Sequence, residues 1–343
     1  PSLPFGKTKK KPDQHAQCFL ATSDAFIDQH LGAKFDKKAF KKFDKYMERM
    51  LEIMGGKCKK CPNSKENLLL IAVEFGNEAA TVSKIFLHFN VFTPETKKHF
   101  LEIFEDLFGL AVESNPLTQG IAEYAGRTIE GIFSKFEEAG MTTSYGNILK
   151  MMCRSPDLIN YFLQVEVFEN LSKHVSNPVF DISSEALSIY QEILISRKNN
   201  VEEVGDFLNS NKEKMMEIFM ELFHQENYLA KREGMKMLHE LLLKGASYKE
   251  FQEYFVGEKD HLKLVMQSLN DDSSGIQVEA FNLLLLFLEA PLEVRGPRVN
   301  DTIRKNKDPL LLFVTEFQPN PDKIDESLES KKEMARQIVE DID

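Results

Sequence analysis

The sequence predicts an all-α protein built from armadillo- or HEAT-like helical repeats, and three observations carry the prediction. Apolar residues recur at helical spacing along almost the whole chain. No alternating strand pattern bounded by hairpin turns occurs, so no sheet is expected. A quartet of core-type positions (a residue, then plus five, plus eight, plus twelve) occurs three times in the second half. Its members are Ile182, Leu187, Tyr190 and Leu194; then Leu229, Gly234, Met237 and Leu241; then Ile276, Phe281, Leu284 and Leu288. The sets start 47 and again 47 residues apart, at the top of the ~40–47-residue range of armadillo and HEAT units. Each follows a shorter apolar helix, such as Met215 to Phe223 or Leu262 to Leu269. Any helical chain yields chance quartets, but three at one spacing, each after a polar turn, favour repeats.

The elements follow in chain order. Residues 1–13 form a basic arm, with PFGKTKK from Phe5 to Lys11. A helix is expected from about Asp36 to Met54, with Phe40, Phe43, Tyr46, Met47 and Met50 on one face and Lys41, Lys42 and Lys45 on the other. Gly55-Gly56 ends it. Thr93-Pro94-Glu95 is a helix start, a capping Thr with Pro in the first turn, and Phe100, Ile103, Phe104, Leu107 and Phe108 make the stripe that follows. Ser155-Pro156-Asp157 carries the same start chemistry. The repeats extend over 14–320, and 321–343 is a charged C-terminal helix or tail. The N-terminal half repeats less clearly, as terminal units of a solenoid often do.

Composition agrees with an elongated array. A chain of 343 residues, 42% hydrophobic and 28% charged, exceeds what one compact core supports, whereas repeats pack only on their neighbours. Phe, at 27 residues with no Trp, marks a core of Phe and Leu. A net charge of −11 argues against general nucleic-acid binding. The apolar run Leu283 to Leu288 is six residues, against the ~20 that a membrane helix needs, so no membrane insertion is expected. Pro1 to Pro12 lacks the apolar run of a secretory signal, and a soluble cytoplasmic protein is the plain reading. Four cysteines are too few for a disulfide framework, and the Cys58–Cys61 pair among lysines lacks the second ligand pair of a zinc site. Loop cysteines are the expectation.

Catalytic and metal motifs are missing. His239-Glu240 opens like a zinc-protease helix, but Leu243 stands where the second His belongs. Asn270 to Gly275 resembles the start of a calcium loop, yet Phe281 occupies the place of the bidentate Glu. That stretch reads as an inter-helix turn. No Walker loop, G-x-S-x-G or dinucleotide fingerprint occurs. No enzyme activity, no cofactor and no metal are expected, with an unfamiliar active site as the minority alternative.

Several stretches are similar to the Mo25 family, also called the calcium-binding-protein-39-like family. They are Pro4-Phe5-Gly6-Lys7, Phe180 to Ser184, Glu226 to Arg232, Leu238 to Leu243, Leu262 to Met266 and Ile276 to Phe281. The likeness is tight from about residue 165 to 318. It implies a right-handed superhelix of armadillo-like repeats and a non-enzymatic adaptor. Such adaptors bind a STRAD-like pseudokinase or germinal-centre kinases on the concave face, and a C-terminal pocket takes a Trp-Glu-Phe tail. No calcium site is implied.

Carried over residue by residue, the resemblance places the concave contact at Phe180, Tyr228 and Arg232, with Lys236 one turn beyond Arg232 and Tyr248 as a nearby aromatic. It places the tail pocket at Met266 and Lys305. Aromatic residues and Arg dominate interface energetics when packed in pockets, and Met suits an adaptable groove. By themselves Phe180, Tyr228 and Arg232 read rather as core aromatics and a solvated cation, and Met266 and Lys305 equally as a core Met and a surface Lys. Two departures bear on assembly: Gly245 stands where characterised members carry an Arg that faces a catalytic kinase, and Pro309 replaces a second Lys of the tail pocket. Alternatively, the solenoid serves a non-kinase protein or a helical peptide.

Overall fold

A computed structural model describes residues 11–32, 37–54, 65–195, 201–319 and 326–342, with side chains from 42 onward in the second stretch. The basic arm before Lys11 and the Cys58–Cys61 pair lie outside the described residues. Among the described residues all regular structure is helical, and the chain divides into two compact units, 1–162 and 163–343.

The first unit holds α1 (Pro12–His30), α2 (Lys37–Met54), α3 (Lys65–Asn77), α4 (Ala79–Leu87), α5 (Pro94–Phe108), α6 (Pro116–Ala122), α7 (Ala125–Phe133) and α8 (Thr142–Cys153). Thr93 caps α5 as expected: its Oγ1 accepts the Thr96 N–H at 3.2 Å, and Pro94 fills the first position. Phe100, Ile103, Phe104 and Leu107 are fully buried. The core is a phenylalanine stack in which Phe19, Phe26, Phe43, Phe92 and Phe100 meet with ring centroids 4.8–6.3 Å apart. Offset and tilted rings at these separations add to the burial of large apolar area. One expected helix start fails. Ser155-Pro156-Asp157 opens only a turn and the 3₁₀ segment Ile159–Tyr161, and Asp157 accepts the Thr118 hydroxyl of α6.

The second unit begins with α9 (Val165–Val175) and α10 (Phe180–Leu194), followed by helices in threes. The first trio is α11 (Val201–Ser210), α12 (Lys212–Phe223) and α13 (Tyr228–Leu242). Next come α14 (Lys249–Gly257), α15 (Lys259–Ser268) and α16 (Ser274–Glu289). The last trio is α17 (Leu292–Lys305), α18 (Lys307–Glu316) and α19 (Glu326–Glu340). Equivalent helices stack: α10 on α13, α13 on α16, and α16 on α19, while α12 packs against α9 and α15. This is an armadillo-like three-helix repeat.

The quartets explain the stacking. Of their members only Leu229 is not buried. The 326–340 segment is the long helix of the last trio: Ala335 and Val339 are fully buried, and Lys331 Nζ donates to Asn282 of α16 at 2.9 Å. No single described helix is long and apolar enough to cross a membrane. The apolar run of α16 is consumed by the core, with Leu283, Leu284 and Phe287 fully buried.

Candidate functional site

The long helices α10, α13 and α16 start side by side, and their first turns carry the candidate surface. Asn227 builds the start of α13. Its Oδ1 accepts the Leu229 and Ala230 N–H groups, and its Nδ2 donates to Ser183 of α10 at 3.2 Å, fixing the two helix starts to each other. On the other side Lys231 bonds Asp271 at 2.5 Å, tying α13 to the turn before α16. The calcium-loop-like stretch is therefore a turn whose first Asp is engaged by a lysine.

Phe180 and Tyr228 each occupy the first position of their helix, and they are 67% and 50% exposed. Neither is a core aromatic. At these two starts the first residue projects beyond the packed layer, while Ile182 and Ala230, two residues on, are buried. Arg232 stands one turn after Tyr228, and Gly275 of α16 lies beneath both. A Cβ on Gly275 would come within 2.7 Å of Tyr228 Oη and 3.3 Å of Arg232 Nε. The absence of a side chain there lets the two lie down on α16.

Arg232 is held by acids on either side. Its Nη1 is 2.9 Å from Glu233 Oε1, and its Nη2 is 3.9 Å from Glu279 Oε1. Lys236 is half-buried on the same face and acts on the same Glu279. Glu279 is itself only 8% exposed. Burial pushes its carboxyl above the ordinary range, while Asn282, Arg232 and Lys236 pull it back. Because the folded value lies above the unfolded one, the cost of the buried charge is absent at acid pH. It grows as pH rises from the ordinary carboxyl range through the raised value. Glu279→Gln is thus expected to raise Tm more at pH 7 than at pH 4. Thermal melts at the two pH values check this, and an equal shift at both would show that the charge is not what costs.

Sequence reasoning missed Asn227, Glu233, Gly275 and Glu279. A signal existed for one of them: Glu279 interrupts the apolar run between Ile276 and Phe281, and a charge at a core-facing position needs a partner.

Tyr248 does not join this surface. It is 1% exposed, its hydroxyl has no partner among the described residues, and burial raises it to about 12. The 3₁₀ turn Ala246–Tyr248 packs on α11 and carries the ring into the core. Ahead of it, Gly245 has φ +83° and ψ −144°, a backbone form that side chains avoid, although open space surrounds it. The arginine of the resemblance is therefore excluded here by the backbone and not by crowding. Gly245→Arg is expected to cost about 1–3 kcal/mol of stability, read as a lower midpoint in urea; an unchanged midpoint would mean that the turn relaxes.

Met266 and Lys305 sit on the neighbouring helices α15 and α17. Met266 is half-buried, and Lys305 is exposed, 3.7 Å from Asp301. Pro309 falls in the first turn of α18, where its missing N–H costs no helical bond. Among the described residues no group of three or more His, Cys, Asp or Glu is placed to hold a metal ion.

Comparison with known proteins gives a family match over residues 4–343, described as Mo25-like. "Calcium-binding protein 39-like" of Homo sapiens is 25% identical over 334 residues, 97% of this chain and 96% of that protein. "MO25-like protein 2" of Caenorhabditis elegans is 26% identical, covering 98% of each chain. Among solved structures, UNC-45 from Drosophila melanogaster matches with a TM-score of 0.47 at 10% identity, over 94% of this chain and 43% of that one. Computationally designed armadillo repeat proteins match with a TM-score of 0.43 at 9% identity, over 78% of this chain and 99% of theirs.

Proposed function

The chain belongs to the Mo25-like family, a family of scaffold proteins and not of enzymes, and on that premise we propose that it binds and activates a cytoplasmic protein kinase or pseudokinase of the STRAD-like or germinal-centre class. The contact surface is the row of helix starts bearing Phe180, Tyr228, Arg232 and Lys236. One observation carries the reading: two aromatics stand exposed at the first position of successive long helices, beside an arginine already fixed by Glu233 and Glu279. Exposed aromatics next to a preorganised arginine form the kind of cluster that dominates interface energy, because little rotamer freedom remains to be lost.

Activation on this reading is a population shift. A scaffold that contacts the active lobe arrangement better than the inactive one favours it by that difference in affinity. The test is capture of partners from lysate on the purified chain and on Phe180→Ala, identification of the bound proteins, and assay of their kinase activity with and without the chain. A kinase lost from the variant and stimulated by the wild type supports the proposal. Recovery of non-kinase partners alone would favour a general helical-repeat adaptor.

A second contact, for a peptide tail of the Trp-Glu-Phe type, is proposed at Met266 and Lys305. Fluorescence anisotropy with a labelled Trp-Glu-Phe peptide is expected to show saturable binding that Met266→Ala abolishes. Pro309 supplies no cation, and one lost charge-assisted contact is worth ~1.5–3 kcal/mol when buried and less when exposed. Affinity is therefore expected to be weaker than in relatives carrying both lysines. Absence of binding at high peptide concentration would leave the helix-start surface as the sole contact.

A further inference from the structure

The open side of α13 continues past Arg232 to the end of the helix. Lys236, His239 and Leu243 follow Tyr228 and Arg232 on one face, at plus 8, plus 11 and plus 15 from Tyr228. At 3.6 residues per turn the five fall within about 80° of one another along roughly 22 Å of axis. Leu243 closes the helix with φ −84° and ψ −7°, so it keeps this register. All five retain surface, most at the two ends: Tyr228 is 50% and Leu243 60% exposed. Past Leu243 there is room, since a Cβ on Gly245 would meet nothing within 4 Å.

Charge on this face is layered, with cations above and acids below. Arg232 and Lys236 share the carboxylate of Glu279, which is 8% exposed, and the Glu233 side chain that takes the Arg232 guanidinium is 16% exposed. A partner approaching from solvent therefore meets the cations first. Lys331 of α19 adds a third. Its Nζ donates to Asn282 of α16 at 2.9 Å, and a neutral amide holds that cation without cancelling it. Lys331 is also near enough to act on His239. Burial first, and then this cation, hold the imidazole below its ordinary range, so it is uncharged at neutral pH.

Singly, an exposed leucine or lysine needs no explanation. Here apolar groups stand at both ends of a face whose middle is cationic, on a helix flanked by α10 and α16. Complementarity to such a face requires carboxylates in the middle of the occupant and an apolar contact at its end. The chain's net charge of −11 disfavours a long polyanion such as nucleic acid. A short acidic protein segment is the occupant that meets both demands.

We propose that a partner protein lays a segment along the whole of this face, with Asp or Glu side chains over Lys236, His239 and Lys331 and an apolar residue on Leu243. The inference rests on the kinase-binding reading and extends it from the helix starts, where Phe180 and Tyr228 stand, to the far end of α13. His239 leaves the cations beside it for the partner to neutralise; an acid at that position would neutralise them from within the chain.

The experiment uses the full chain and a purified germinal-centre kinase, with surface plasmon resonance and a thermal melt for each variant. His239→Glu should weaken binding at least about tenfold, since it sets a carboxylate against the partner's acids. His239→Gln, which leaves the charge as it is, should stay within about threefold of wild type. Leu243→Asp should also lose at least about tenfold, because it sets a charge against an apolar contact. Its Tm should hold, since the side chain is exposed, and Leu243→Ala, which adds no charge, should weaken binding in the same direction. Lys214→Gln removes one positive charge from an exposed side chain on the shorter helix α12 and should change little. Affinity for the wild type should fall as salt rises. Phe180→Ala tests the kinase contact itself. If it weakens binding while His239→Glu and both Leu243 variants stay within about threefold of wild type, the contact ends at the helix starts and the extended face alone is overturned. Equal losses in His239→Glu and His239→Gln would make His239 a contact of shape, and a matching loss in Lys214→Gln would make the effect one of overall charge; either overturns the acidic segment. Binding indifferent to salt does the same. No binding of the wild-type chain overturns the extended face and the kinase reading together.

Discussion

Arg232→Ala is expected to weaken binding of the proposed kinase-like partner by about 1–3 kcal/mol, roughly 5- to 150-fold in Kd, while leaving Tm almost unchanged. Two features set the size of the effect. The side chain is 36% exposed, enough for a partner to reach. It is also held in place by Glu233 and Glu279, so binding has little arginine freedom to freeze out. Small stability effects follow from the same numbers. A partly exposed pair contributes about 0–1 kcal/mol, and the 3.9 Å approach to Glu279 is long for a hydrogen bond. Glu279 keeps Asn282 and Lys236 when Arg232 is gone. Surface plasmon resonance against the captured kinase, alongside a thermal melt, reads both quantities. A variant that loses affinity and Tm together would make Arg232 a structural residue and would remove the helix-start surface from contention.

The candidate surface was only half legible in the sequence, for a physical reason. Helical periodicity reports which side of a helix is buried, and it succeeded: Ile182, Leu187, Tyr190 and Leu194 are all buried, as are Ile276, Phe281, Leu284 and Leu288. It does not place the first residue of a helix, which is exposed in Phe180 and Tyr228 but buried in Ala79 and Ala125. Phe180 and Tyr228 therefore read by themselves as core residues, and the helix starts place them at the surface. Tyr248 misled in the opposite direction. It lies in a short 3₁₀ turn, where no periodic signal operates, and the turn folds it inward.

The same distinction separates the two units. In the second, each long helix needs a broad apolar face to stack on two neighbours, so the pattern recurs every 47 residues. In the first, α6, α7 and α4 have 7, 9 and 9 residues. Helices this short carry too few core positions for a repeat to stand out. The first unit is held instead by its phenylalanine stack and by backbone contact between helices, and glycine records such contact without any periodicity.

Gly76→Ala in α3 should show how much rests on that contact, with an expected loss of roughly 3 kcal/mol, at the upper end of overpacking costs. Gly76 faces the start of α6. A Cβ there would overlap the Pro116 carbonyl oxygen and come within 2.8 Å of its carbon. From the other side, a Cβ on Gly120 of α6 would sit 2.7 Å from Gly76 Cα. Both obstructions are backbone, so no side chain can rotate away, and relief requires α3 and α6 to separate. Separation would in turn loosen the layer around Phe75 and Leu117, both fully buried. Against this stands a gain of up to about 1 kcal/mol, because Ala is the better helix former. Gly126→Ala isolates that gain, since a Cβ on Gly126 of α7 meets nothing within 4 Å. Urea unfolding should therefore move in opposite directions for the two variants, the midpoint falling for Gly76→Ala and holding or rising for Gly126→Ala. If both midpoints rise, α3 and α6 are not in backbone contact, and the first unit depends on its phenylalanine core alone.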